Sequence, residues 1–118
     1  MYYFLPKEHI AAVQLYNEGK FYEAHEEWEQ LWKIAQGDSK LFYQALIQAA
    51  AALLHHQNGN KRGAEVCLAK SLEKLSRLPK RFLGIDTEAY SKSLKTFFAE
   101  ELAIFPKLEL QSWNSETD

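Results

Sequence analysis

An all-α fold, a compact bundle of about five helices built from antiparallel helical hairpins, is what this sequence predicts, on two observations. Apolar residues recur at helical spacing almost throughout, and Pro6, Pro79 and Pro106 each stand where a helix would begin or stop. No strand pattern competes. Pro6 suits the first turn of helix one, which runs to about Glu18 and is capped by Gly19. Lys20 leads straight into helix two, Phe21 to about Gln36, and so short a link makes the pair a hairpin. Gly37-Asp38-Ser39 is the next break, with Asp38 or Ser39 as N-cap of helix three, which extends to about Asn58 before Gly59 ends it. Asn60 caps helix four, whose Ala64, Cys67, Leu68, Leu72 and Leu75 make one stripe before Pro79. Helix five begins after Asp86, with Ile85 and Tyr90 as a hydrophobic staple and Tyr90, Leu94, Phe97, Phe98 and Leu102 on a shared face. Residues 1–105 are thus expected to form one helical domain, and 106–118 a polar, loosely ordered tail in which Trp113 alone is suited to docking.

Offsetting the chain by 40 residues aligns Gly19 with Gly59, Ala24 with Ala64, Trp28 with Leu68 and Trp32 with Leu72. Two helix pairs therefore share a turn and a packing pattern, in the manner of tetratricopeptide-type hairpins. Two units are fewer than the roughly three an open solenoid needs, which favours closure into a bundle.

Composition narrows the function classes. At 118 residues, with 47% hydrophobic and 14% aromatic residues, the chain can close a single core. A formal charge of −2, with 14 basic residues scattered among 16 acidic ones, provides no field for nucleic acid or an anionic membrane. Cys67 is the one cysteine, which excludes an internal disulfide and a multi-thiolate metal site and suits a reducing compartment. The first residues lack the features of a secretory signal, and the apolar stretch Leu41 to Leu54 is interrupted by Gln44 and Gln48. A cytoplasmic location is expected. No glycine-rich phosphate loop, nucleophile elbow or cysteine-ligand spacing is present.

The chemistry-bearing residues lie on helices two and three. At about 100° per residue, Phe21, Ala24, Trp28, Trp32 and Ala35 share one face of helix two, with His25 inside that face, Glu29 on its edge and Glu26 further round. Helix three is apolar nearly all round, so Gln44, Gln48 and His55, which fall on one ridge, need polar partners. The expectation is a semi-buried cluster of His25, Glu29, Gln44, Gln48 and His55, ringed by Trp28 and Trp32 and reached from one side by Glu26. Two readings stand: a network that fixes helix pairing, or a site where two histidines and a glutamate bind a divalent metal or act as acid and base. His25-Glu26-x-x-Glu29 looks like a zinc-protease helix, but its second histidine is replaced. His9 and His56 are expected to face solvent.

Several of these segments resemble the bacterial and archaeal family known as domain of unknown function 309. They are Phe21-Tyr22-Glu23-Ala24-His25-Glu26 with Trp28-Glu29 and Trp32, Leu46-Ile47-Gln48-Ala49-Ala50-Ala51, His55 with Gly59-Asn60 and Gly63-Ala64, and Gly84-Ile85-Asp86. The resemblance implies a compact helical bundle and a pattern that includes His25, Glu26, Glu29, Gln48 and His55; it implies no activity. Two functions follow as expectations. One is a ligand or metal site in the cluster; the other is a non-catalytic, tetratricopeptide-like module that binds a peptide, a protein or a second copy of itself, with an apolar patch around Tyr2, Tyr3, Phe4 or Trp113.

Overall fold

A computed structural model describes residues 5–112, in the order α1 Lys7–Asn17, α2 Phe21–Ile34, α3 Gly37–Gln57, α4 Lys61–Leu75, β1 Arg81–Phe82, β2 Ile85–Asp86 and α5 Thr87–Ala99. Tyr2, Tyr3, Phe4 and Trp113 lie outside the described residues. The internal repeat is a repeat of helix ends. Gly19 and Gly59 have φ of 82° and 75°, a conformation that glycine reaches without steric cost. Each lets the next residue fold back: Lys20 N–H donates to the Leu15 carbonyl at 2.9 Å, and Asn60 N–H to that of His55 at 2.8 Å. Asn60 then caps α4 by accepting from Gly63 N–H at 3.0 Å. Between these hairpins, only Ala35 and Gln36 separate α2 from α3. Neither Asp38 nor Ser39 caps α3; Gly37, with φ of 61°, makes the turn instead, and Asp38 lies in the first helical turn.

Each of the first four helices packs on the next in sequence, and α3 is the most buried of them. Ala45, Ala49, Ala50 and Ala52 are fully buried on α3, so small side chains let its neighbours approach closely. On the other side of the α3–α4 seam, Ser71 is fully buried, and its hydroxyl donates to the Ala45 carbonyl at 2.8 Å. The predicted stripe on α4 holds at Ala64 and Leu75, which are buried, whereas Cys67, Leu68 and Leu72 are only half-buried.

A two-stranded antiparallel hairpin, absent from the sequence expectation, links α4 to α5, with Arg81 opposite Asp86 and Phe82 opposite Ile85. Its strands are two residues long, too short for alternation to register. Leu83 and Gly84 form the turn, with φ of 46° and 82°, the left-handed pair that matches the twist of a tight hairpin. Asp86 caps α5 as expected, its carboxylate accepting from Ala89 N–H at 2.9 Å. Thr87, fully out of solvent, donates its hydroxyl to the Pro79 carbonyl at 2.6 Å.

His9 ties the parts together. It is fully buried rather than solvent-facing, because His9, Ala12, Val13 and Tyr16 share the inner face of α1. The indole Nε1–H of Trp28 donates to its Nδ1 at 2.9 Å, which places the ring proton on Nε2, and that group donates to the Leu83 carbonyl at 3.0 Å. One imidazole thereby joins α1, α2 and the β-hairpin turn.

The stretch after Pro106, expected to be loose, is an extended strap as far as Ser112. Tyr16 donates its hydroxyl to the Pro106 carbonyl at 2.6 Å and accepts from that of Tyr90 at 2.8 Å. Asn17 holds both backbone groups of Leu108, each at 2.8 Å, and Leu108 itself is a core residue. Gln111 N–H donates to the Gly84 carbonyl at 2.8 Å. Leu108 and Leu110 alternate with Lys107 and Glu109, an inward and outward pattern within a segment polar on average.

Candidate functional site

His25, Glu29, Trp28 and Trp32 are carried by α2; Gln44, Gln48 and His55 by α3, which packs against it. The four-residue spacing of His25 and Glu29 is realised as a contact: a Glu29 carboxylate oxygen lies 3.1 Å from the imidazole Nε2. In the tautomer that carries its proton on Nε2, toward the carboxylate, Nδ1 keeps its lone pair, an arrangement in which a carboxylate orients a histidine toward a proton or a metal ion. That Nδ1 is buried and has no hydrogen-bond partner. Gln48 on α3 shows the same feature, with Oε1 buried and unpaired. These two atoms are the buried side-chain nitrogens and oxygens without a partner among the described residues. Each such atom costs on the order of 1–3 kcal/mol, so their coincidence on two residues of one expected cluster carries information.

The other members are placed differently. Glu26 is exposed, and Gln44 is half-buried. His55 is engaged at the α3–α4 turn, where Asn60 Nδ2 donates to its Nδ1 at 3.2 Å. Its ring lies so close over Gly63 that a Cβ there would come within 2.9 Å of it. No hydrogen bond or ring contact joins His55 to His25. Trp28 is fully buried with its indole N–H spent on His9, while Trp32 is half-buried with Lys40 Nζ 4.3 Å from its ring centroid. Tyr22, exposed, stands one ring contact from His25 at 6.0 Å. His56 is exposed, as expected, with its ring edge-on to Phe97 and Phe98 at 5.2 and 5.5 Å.

Among the described residues, no group of three or more His, Cys, Asp or Glu side chains is placed to hold a metal ion. Among the described residues, no helix is long and apolar enough to cross a membrane.

Residues 10–66 match the family model described as Domain of unknown function (DUF309). This segment holds every residue of the expected cluster and ends within α4. An uncharacterized protein of Aquifex aeolicus (strain VF5) is 33% identical over 76 residues, which is 64% of this chain and 23% of that protein. The chain thus spans about a quarter of the length of the curated relative it matches. Through residues 10–66, which carry both glycine turns together with His25, Glu29 and Gln48, the chain is similar to the DUF309 family.

Proposed function

We propose that the α2–α3 face bearing His25, Glu29 and Gln48 binds a small ligand that presents a hydrogen-bond donor or a positive charge, a divalent cation being one member of that class. The observation that carries this reading is the pair of buried acceptors, His25 Nδ1 and Gln48 Oε1, for which the described residues supply no donor. Acceptors without donors favour a cation or an N–H or O–H group over an anion. The Glu29 carboxylate beside the imidazole favours the same sign of charge. Glu29 orients the ring, and His25 would serve as the ligand-contacting base.

Thermal unfolding in the presence of divalent metals, a chelator, and a panel of small amines and polyols tests this, with His25→Ala as control. A ligand at a hundred times its dissociation constant adds about 2.7 kcal/mol, which in a domain of this size raises the midpoint by about 10 °C. A rise seen in the wild type and lost in His25→Ala is the expected result. If no compound moves the wild type, and His25→Ala melts far lower in every buffer, the cluster is a structural network.

A further inference from the structure

The strap that follows α5 is held as a bound peptide is held. Asn17, at the end of α1, takes both backbone groups of Leu108 with one carboxamide, its N–H to the carbonyl and its oxygen to the N–H, each at 2.8 Å. Tyr16 holds the Pro106 carbonyl at 2.6 Å, and Gln111 N–H reaches the Gly84 carbonyl at 2.8 Å. Two side chains anchor the segment. Leu108 is 2% exposed, and the Phe105 ring meets those of Tyr16 and Phe21 edge-on at 5.6 and 5.0 Å. Main-chain hydrogen bonds joined to side-chain pockets are how a groove recognises an extended peptide, and here the occupant is the chain's own Phe105 to Gln111.

The link between α5 and this segment is less favourable. Its turn sets Glu101 at φ 49°, with the Leu102 N–H folded back to the Phe97 carbonyl at 3.1 Å, a helix end at which glycine normally stands. It also leaves Leu102 and Ile104 42% and 74% exposed. Closing the strap onto its own groove thus strains one residue and holds two apolar side chains in water.

We propose that the groove also takes this segment from a second copy of the chain, so that two molecules exchange straps about a two-fold axis. Exchange keeps every contact between strap and groove, because the incoming segment is identical; only the link changes. Once opened, Glu101 leaves the left-handed region, and the two links, side by side at the axis, cover each other's Leu102 and Ile104. The tether opposes this, since a short flexible link gives the chain's own strap an effective concentration on the order of millimolar. Exchange therefore belongs to concentrated protein, and the link residues set its extent. An unrelated peptide of the same pattern meets the same tether without the gain at the link, which makes a second copy the favoured occupant.

The test mixes equal amounts of isotopically labelled and unlabelled full chain, unfolds them together, and refolds them at about 1 mM, near that effective concentration. A dimer fraction is expected in which isotope-filtered NOEs join Asn17 of one copy to Leu108 of the other. Glu101→Gly, which frees the closed link of strain, should weaken dimerisation roughly tenfold or more, because each dimer opens two links. Glu101→Pro, whose φ is fixed near about −65°, cannot close the link and should strengthen dimerisation. Should the proline variant not fold, the wild-type and glycine results decide the matter. Monomer alone at this concentration would overturn the proposal. So would a dimer without the NOEs between Asn17 and Leu108 of different copies, since its interface would lie elsewhere. An unchanged dissociation constant in Glu101→Gly would also overturn it, because the link would then have no part in the exchange.

Discussion

Replacing His9 by alanine is expected to destabilise the protein by about 3–5 kcal/mol, the largest effect of any substitution considered for this chain. Two costs combine. Truncation leaves a cavity between α1, α2 and the β-hairpin, in a place lined by Trp28, Phe42 and Tyr43, whose rings surround the imidazole at 6.3, 5.5 and 6.0 Å. It also strands two buried polar groups, the Trp28 indole N–H and the Leu83 carbonyl, each of which loses its partner away from water. The Leu83 bond matters further because Leu83 holds a left-handed φ of 46°, a strained conformation for a residue with a side chain. Denaturant titration followed by tryptophan fluorescence reads the change. The double variant His9→Ala with Trp28→Phe should cost less than the sum of the singles, since Phe leaves no N–H to strand.

Lowering the pH from 6.5 to 4 is expected to remove about 3 kcal/mol of stability through the same imidazole. Burial pulls the His9 pKa from 6.5 down to about 4, against a smaller upward pull from the Leu83 carbonyl. Below 6.5 the unfolded chain takes up a proton on this ring, while the folded chain does so only near 4. The unfolded state therefore binds more protons across that window, so stability falls as the pH falls, by up to about 1.4 kcal/mol per unit. Below about 4 both states are protonated and this contribution levels off. The direct cause is visible in the geometry: Nδ1 accepts from an indole, and a protonated ring has no lone pair to offer it. Denaturant midpoints at pH 7, 5.5 and 4.5 check the slope, and in His9→Gln the part due to this site should vanish. Tyr16, Tyr43 and Tyr90 add nothing in this range, because burial raises the pKa of each phenol, that of Tyr43 to about 12.

How much of this was legible follows from length scale. Helices of 11 to 21 residues display their period several times over, so their order and links, and the caps at Asn60 and Asp86, are readable from the sequence. The β-hairpin is not, because two residues per strand contain no period, and its turn uses Leu83 where an asparagine or glycine would announce it. His9 was readable in principle, since it stands three, four and seven residues before Ala12, Val13 and Tyr16. Its polar ring concealed that, and only the fold supplies the Trp28 donor and the Leu83 acceptor that make its burial tolerable. Ser71 was hidden in the same way, its hydroxyl satisfied by a carbonyl of another helix. In the candidate site, the His25 and Glu29 contact follows from local spacing alone, whereas His55 was drawn to the cluster by its place on the ridge of α3 and is held at the α3–α4 turn by Asn60, a capping interaction beyond the reach of a ridge argument.

The most direct test of the α2–α3 site is the stability of ligand-free Gln48→Met, a substitution of similar shape that removes the unpaired amide oxygen. If that oxygen is kept for a ligand, its removal relieves an unsatisfied buried acceptor, and the variant should be more stable than the wild type by about 1 kcal/mol while losing any ligand-induced rise in melting temperature. A variant destabilised by 2 kcal/mol or more, on the order of what breaking a satisfied buried network costs, would mean that Gln48 is already paired in the folded protein and that the site is structural.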